Sequence, residues 1–146
     1  MAEAEDLDAL TISSSVKLAG GTLIGTGVCV GIVGLQLLGI PTGGLISLVG
    51  PVALVLSGGC VFSGWGVVRG RARSADFGII LGIVTGLFAL TWFVVALANG
   101  IFSPVTLTVL PLSFMATLLI ARRLKDVRKI DDARERLRAQ GLDAGL

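Results

Sequence analysis

Glycines crowd one short stretch of the chain, GGTLIGTGVCVGIVG at residues 20–34, and such tracts can form loops that cradle phosphate groups. A dinucleotide fingerprint requires the spacing G-x-G-x-x-G, with an acidic residue about 20 positions later to bind the ribose. Here Gly25 and Gly27 are followed by Gly31, which is one residue too late, and no charge follows until Arg69. No Walker lysine accompanies the tract. The sequence therefore predicts no nucleotide site here.

Residues for catalysis and metal binding are also scarce. The chain contains no His and no Tyr, and its acidic residues all lie outside two long uncharged intervals, 18–68 and 77–121. A Ser or Cys nucleophile within those intervals would have no general base. Cys29 and Cys60 are far apart in sequence and Met115 is the one Met in the intervals, so metal and haem sites lack ligands. We therefore expect no enzyme, no cofactor and no bound metal.

The uncharged intervals predict the fold instead. They are 51 and 45 residues long in a chain that is 53% hydrophobic and only 15% charged. A helix that crosses a bilayer needs about 20 apolar residues, so each interval accommodates two spans and a tight turn. The predicted fold class is all-α: a polytopic membrane protein with a four-transmembrane-helix bundle and a short, charged and amphipathic cytoplasmic C-terminal helix. Neither interval holds the buried carboxylate on which ion-carrying ring subunits and small multidrug transporters depend.

The predicted domain organisation has three parts. An acidic N-terminal segment covers 1–17, the transmembrane domain covers 18–121, and a basic helical tail covers 122–146. The spans are expected at about 18–40, 44–68, 77–98 and 101–121. The start of the second span is ambiguous, since Pro51 either kinks a helix that begins near Gly44 or is itself the first helical residue; the kinked helix is the favoured alternative. The fourth helix should begin at Pro104 after Ser103, bend at Pro111, and continue or restart through about Gln140.

Positive charges indicate the orientation. All 12 Lys and Arg residues are Lys17, three residues between the second and third spans, and eight in the tail. Cationic flanks stay on the cytoplasmic side, so both termini of this integral, multi-pass protein are expected there, in a bacterial or archaeal plasma membrane. The basic cytoplasmic surface should attract anionic lipids of the bilayer or dock a soluble partner on the tail; no nucleic-acid partner is expected. Its predicted residues are Arg69, Arg71, Arg73, Arg122, Arg123 and Lys125.

Glycines within the spans predict how the helices pack. Small residues let helices approach closely in lipid. The first three helices are therefore expected to pack backbone to backbone, with the Leu-rich fourth helix more peripheral. The predicted packing residues are Gly20, Gly27, Gly31 and Gly34 on the first helix, and Gly78, Gly82 and Gly86 on the third.

Uncharged polar residues form two predicted stripes, Thr22, Thr26 and Gln36 on the first helix and Thr106, Ser113 and Thr117 on the fourth. The favoured interpretation is hydrogen bonding between helices. The alternative is that the stripes meet in an oligomer and line an uncharged pore. Trp65, Trp92 and Phe102 are expected to be anchors at the membrane interfaces.

Two functional hypotheses follow. The first is a non-catalytic integral membrane subunit that assembles through glycine-rich helix packing into a homo-oligomer or a larger membrane complex. The second, from another class, is a small oligomeric channel or holin-like pore lined by the polar stripes. The sequence favours the first, because it offers packing surfaces and no reactive groups.

Overall fold

The computed structural model describes residues 12–39, 47–98 and 104–139, and within these ranges the chain is helical with no strand. Four helices are described: α1 (Ser14–Leu38), α2 (Val49–Val68), α3 (Ala72–Ala98) and α4 (Pro104–Ala139). Each is long and apolar enough to cross a membrane. The prediction of an all-helical chain with four candidate spans is confirmed for the described residues.

Two helices begin earlier than the hydropathy pattern predicts. Helix α1 starts at Ser14, with Ser13 as the N-cap whose side chain accepts a hydrogen bond from the Val16 amide. Helix α3 starts at Ala72 and not near Phe77. Hydropathy marks where a segment stops being apolar, whereas a helix continues as long as its backbone is capped and its residues are helix formers. Charged residues that were assigned to a connection therefore belong to the first turn of α3.

Helix α2 begins later than expected. A 3₁₀ turn at Ser47 and Leu48 precedes the first α-helical residue, Val49. Residues 40–46, where the expected start near Gly44 falls, lie outside the described ranges, so the long helix kinked at Pro51 stays a prediction. Pro51 is the third helical residue. In the first turn its missing N–H has no intrahelical acceptor to lose, so the proline is accommodated without breaking the helix.

Helix α4 is continuous through Pro111 and runs to Ala139, so it continues past the predicted span and does not restart. Ser103 and Gln140, the expected cap and end, lie outside the described ranges. A helix of 36 residues rises about 54 Å, well beyond the hydrocarbon core. In the second half of α4, three apolar residues along one edge of the helix are buried: Val127, Ile130 and Leu137.

The helices form a four-membered ring in which α1 packs on α2, α2 on α3, α3 on α4, and α4 closes on α1. The expectation that the fourth helix is peripheral is wrong, since it contacts two neighbours extensively. One core cluster draws residues from every helix at the end where α1 begins: Val16, Ala19, Leu23, Cys60, Val67, Ala75, Ala116, Ile120 and Val127. Trp92, expected to be an interfacial anchor, is buried; Trp65 is exposed, and Phe102 lies outside the described ranges.

The turn between α2 and α3 is three residues long and closes the basic end of the bundle. Gly70 adopts a positive φ of 71°. Its amide donates to the Val67 carbonyl, and the Arg71 amide donates to the Gly66 carbonyl, which is the Schellman pattern at a helix C-terminus. A Cβ on Gly70 would lie 2.9 Å from a methyl of Ile130 on α4. Both the backbone conformation and the contact with α4 therefore require glycine.

Candidate functional site

The interface between α1 and α2 is built on glycines that oppose each other. A Cβ on Gly20 would lie 2.7 Å from the Gly64 carbonyl oxygen, and one on Gly64 would lie 2.8 Å from the Gly20 carbonyl oxygen. Gly34 and Gly50 repeat this reciprocal approach further along the helices, at 3.1 and 3.2 Å. The two backbones approach so closely that no side chain fits between them.

The remaining predicted glycines of α1 also lie against α2. A Cβ on Gly27 would be 2.9 Å from the Ser57 carbonyl oxygen, and one on Gly31 would be 2.7 Å from the Ser57 hydroxyl. All four predicted packing residues of α1 therefore face the same neighbour. The partners on α2 are Gly50 and Gly64.

The three predicted glycines of α3 lie mainly against α4. Gly82 lies against Thr117, and a Cβ on Gly86 would lie 3.2 Å from the Ser113 hydroxyl. Gly78 is placed more centrally, where a Cβ would be 3.0 Å from both Leu23 and Ser63. The small residues of α3 thus make room for side chains of α4, a helix that carries no glycine within its described range.

Three other glycines have open surroundings. A Cβ added to Gly21, Gly25 or Gly58 would meet no atom of the described structure within 4 Å. Gly21 and Gly25 lie four residues apart on α1, so they share one face of that helix. Helix α1 therefore carries glycines on two faces, one packed against α2 and one unoccupied in the single chain.

Four residues of the predicted polar stripes donate hydrogen bonds within their own helices. Thr22 Oγ1 donates to the Leu18 carbonyl at 2.8 Å, and Thr26 Oγ1 donates to the Thr22 carbonyl at 2.9 Å. On α4, Ser113 and Thr117 likewise donate to carbonyls of their own helix, three and four residues earlier. Such back-bonding satisfies a hydroxyl locally, so these four hydroxyls donate to their own helices and not to a neighbouring one.

The stripes also do not form a common path in the single chain. Thr26 and Ser113 are fully buried, whereas Gln36 is exposed. The Thr106 side chain lies outside the described residues. Thr117 and Ser113 border an open groove of about 560 Å³ between α3 and α4, whose walls are mainly apolar, with Ile83, Leu87, Leu90, Leu110 and Phe114 among them. The second stripe therefore adjoins an apolar surface groove.

Polar contacts between helices involve residues that sequence reasoning missed. Ser63 Oγ on α2 donates to the Ser74 carbonyl on α3 at 2.6 Å. Cys60 Sγ lies 3.4 Å from Thr85 Oγ1, and both residues are buried. These pairs depend on how each helix is rotated about its axis, which hydropathy does not report.

The basic segments of the chain meet at one end of the bundle. Arg134 Nη1 on α4 donates to the Arg69 carbonyl at 2.8 Å, and the Ala72 amide at the start of α3 donates to Asp131 Oδ2 at 2.9 Å. Arg128 pairs with Asp76 at 3.1 Å. The second half of α4 is thus joined to the α2–α3 turn by hydrogen bonds and an ion pair.

The predicted basic residues lie in two settings at this end. Arg122, Arg123 and Lys125 are exposed on α4, and Arg123 forms an ion pair with Asp126 at 3.3 Å. The guanidinium of Arg69 lies 5.2 Å from the centre of the Trp65 ring, within the range of a cation–π interaction. Arg71 and Arg73 belong to a recess of about 310 Å³ lined by Arg71, Arg73, Ser74, Asp131, Arg134, Glu135 and Arg138.

We call this cavity the basic recess. Sequence reasoning identified Arg71 and Arg73 but missed Arg134 and Arg138. Their spacing of four residues places them on one face of α4, and Arg134 lies between the buried residues Ala133 and Leu137. An arginine that interrupts the apolar edge of an amphipathic helix was the signal that could have identified it.

Comparison with known proteins assigns no family, because no family model, no curated protein and no solved structure matches the chain. The function proposed below is therefore argued from the residues and their contacts.

Proposed function

We propose that this chain is a non-catalytic integral membrane subunit that assembles laterally, through the outward face of α1, into a homo-oligomer or a larger membrane complex. Its helices are surrounded by the lipid bilayer. Its basic end lies on the cytoplasmic side, where it contacts anionic lipid head groups or a soluble partner. The observation that supports this proposal is that one face of α1, which carries Gly21 and Gly25, has no other described helix of the chain against those glycines. We call it the outward face.

That outward face has the spacing of a helix-packing seam. Its residues alternate at intervals of three and four, the pattern by which one helix packs along another. The large members have exposed fractions of 60% at Leu18, 51% at Val28, 45% at Ile32 and 62% at Leu35. We call this set the outer seam, and it consists of Leu18, Gly21, Gly25, Val28, Ile32 and Leu35.

The two glycines of the outer seam allow a second helix to approach. Helices in lipid associate through close packing and not through a hydrophobic driving force, and paired small residues four apart let backbones come together. Gly21 and Gly25 provide such a pair with open space above them. A partner helix at this position would replace lipid contacts by closer backbone contacts.

The glycines that were first predicted to mediate assembly pack against other helices of the same chain. Gly20, Gly27, Gly31 and Gly34 lie against α2, and Gly78, Gly82 and Gly86 lie against other helices of the same chain. They hold one chain together and are not available to a second chain. The proposed assembly surface is therefore the second glycine face of α1.

The membrane setting is supported by the surface of the bundle. Large apolar side chains are exposed on every described helix, for example Phe62, Leu87 and Phe114. Water would penalise such a surface, whereas lipid tails would not. The positive side chains gather at one end, and the positive-inside rule places that end in the cytoplasm.

The test replaces the open glycines. Gly21→Leu with Gly25→Leu should leave the chain folded, because a Cβ at either position meets no atom of the described structure within 4 Å, but should block close approach of a second helix. Gly58→Leu on α2 is the matched control. Gly58 is equally open, but it lies outside the outer seam, between the exposed side chains of Val55 and Phe62. Native mass spectrometry from lipid nanodiscs, with photobleaching counts in membranes, measures the assembly.

We expect the double variant to lose its oligomer or its co-purifying subunits and the Gly58→Leu control to keep them. A wild-type chain that is monomeric and free of partners would overturn the proposal. Equal assembly in the double variant would overturn the assignment to the outer seam.

The pore alternative stays a prediction that the described contacts do not favour, since its hydroxyl groups bond their own helices. Dye release from proteoliposomes distinguishes it. If wild-type protein releases dye and Gln36→Leu with Thr26→Val abolishes the release, the pore replaces the assembly subunit as the better function.

A further inference from the structure

We propose that the basic recess is a binding site for a phosphate group. This inference deepens, and rests on, the proposed contact between the basic end and anionic groups at the membrane surface. It identifies one open recess on a surface that the sequence marks only as positively charged.

The first argument is the state of Arg134. Its side chain is only 8% exposed, which is rare for arginine. Nη1 donates to the Arg69 carbonyl, whereas the buried Nε has no hydrogen-bond partner in the described structure. Buried donors are nearly always paired, and an unpaired donor on a charged group is costly. A guanidinium with an unpaired donor beside a recess is suited to donate a hydrogen bond to an anionic oxygen.

The second argument is the charge of the recess. Four arginines and two acidic residues line it, so its side chains carry a net charge of +2. Asp131 accepts the Ala72 amide and is thereby committed to capping α3. A phosphate dianion would balance the remaining charge, and arginine matches phosphate oxygens with its planar fork of donors.

The third argument is the geometry of the two supporting elements. Arg71 immediately precedes α3 and Arg73 lies in its first turn, and the N-terminal end of a helix carries a partial positive charge. Arg134 and Arg138 come from consecutive turns of α4. The hydrogen bond to Arg69 and the contact between Gly70 and Ile130 hold these elements together without a ligand. The arginines are therefore gathered before binding, which lowers the entropic cost of binding.

A phosphate group could belong to a lipid head group or be free in solution, and the recess volume of about 310 Å³ admits either. The recess lies at the end of the bundle where α1 and α3 begin. In the proposed orientation this is the level of the cytoplasmic head groups. The experiment therefore has one arm for each source.

The experiment uses the full chain and two matched double variants. Arg73→Gln with Arg138→Gln removes two positive charges from the recess, and neither side chain takes part in the hydrogen bonds and ion pairs described above. Arg122→Gln with Lys125→Gln removes two charges from the exposed part of α4, outside the recess. Arg134→Lys is a third variant, which keeps the charge and removes the planar fork.

In the first arm, inorganic phosphate is titrated calorimetrically into protein in phosphatidylcholine nanodiscs at constant ionic strength. In the second arm, native mass spectrometry measures retention of phosphatidic acid against phosphatidylcholine. We expect the recess double variant to lose affinity by at least about tenfold, because two of the four arginines that line the recess, and their charge-assisted hydrogen bonds to phosphate, are lost. The exposed double variant should lose less than about threefold, because its two charges lie outside the recess and would act on a bound phosphate only through screening solvent.

Binding in the first arm identifies free phosphate as a ligand, and selective retention in the second arm alone identifies the lipid head group. Equal losses in the two double variants would show general surface attraction and overturn the inference, as would the absence of binding in both arms. If Arg134→Lys folds, its loss of affinity measures the contribution of the planar guanidinium. If it does not fold, the comparison of the two double variants decides the outcome. Loss of phosphate with an intact oligomer, or the reverse, separates this inference from the proposed assembly.

Discussion

Helix α1 presents glycine on two faces, and the two faces have different surroundings. Gly20 lies against the backbone of α2, where even a methyl group would lie 2.7 Å from the Gly64 carbonyl oxygen. Gly21, the next residue, meets nothing within 4 Å. The same residue type therefore has opposite roles one position apart: inward glycine is required by the fold, and outward glycine is not.

The largest effect is expected on the inward face. Gly20→Ala should destabilise the chain by about 1–3 kcal/mol, the usual range for overpacking a tight interface, because its methyl group would meet the Gly64 carbonyl and the Val68 amide. Reversible unfolding in mixed detergent micelles measures the change. Unchanged stability would mean that α1 and α2 separate at no cost, and the contrast between the faces would fail.

The second effect concerns the turn that joins the basic end. Gly70→Ala should cost about 1–2 kcal/mol, because a side chain is disfavoured at positive φ and the methyl group would approach Ile130 at 2.9 Å. The same unfolding assay applies, with Gly58→Ala as the control at an open helical position. Equal stability of the two variants would contradict the assigned turn.

A substitution on the outward face should change the stability of the chain in the opposite direction. Gly21→Ala is expected to stabilise the single chain by about 0.5–1 kcal/mol, since alanine favours the helix over glycine and no atom opposes the methyl group. Unfolding is measured at protein dilutions where the chain is monomeric. A loss of stability under those conditions would show that Gly21 is packed within the chain, which would break the comparison.

The smallest effect extends the comparison to hydroxyl groups. Ser63→Ala should cost about 0.6 kcal/mol, the average for a hydrogen bond between helices in a membrane, because Ser63 donates to α3. Thr22→Val is the control, since Thr22 donates to its own helix and the change should fall below that value. If Thr22→Val were the costlier change, the hydroxyl of Thr22 would have a partner outside its own helix.

That the chain forms helices could be predicted from its sequence, and individual residues show the physical reasons. The uncharged intervals can satisfy their backbone groups in lipid only as helices, and Pro104 at the first position of α4 is a local signal. The boundaries were less predictable. Ala72 starts α3 with help from Asp131, a residue 59 positions away, and no local pattern reports such a cap.

The candidate sites show the same division. Arg71 and Arg73 were recognisable from charge alone, but Arg134 and Arg138 join them only because α4 continues past the span and folds against the α2–α3 turn. Thr26 and Gln36 were assigned to one stripe by helical projection. The structure buries the first and exposes the second, because the neighbouring helices decide burial at each level.

The sequence by itself determined the number and type of candidate spans, the gathering of positive charge beyond them, and the presence of small residues at helical spacing. These follow from one-dimensional quantities: hydropathy, charge and period. Only the tertiary structure decided which neighbour each glycine faces, that α4 closes the ring, and that a buried arginine completes a recess. Those outcomes depend on the rotation of each helix about its axis, which is set by the fit of all four surfaces together.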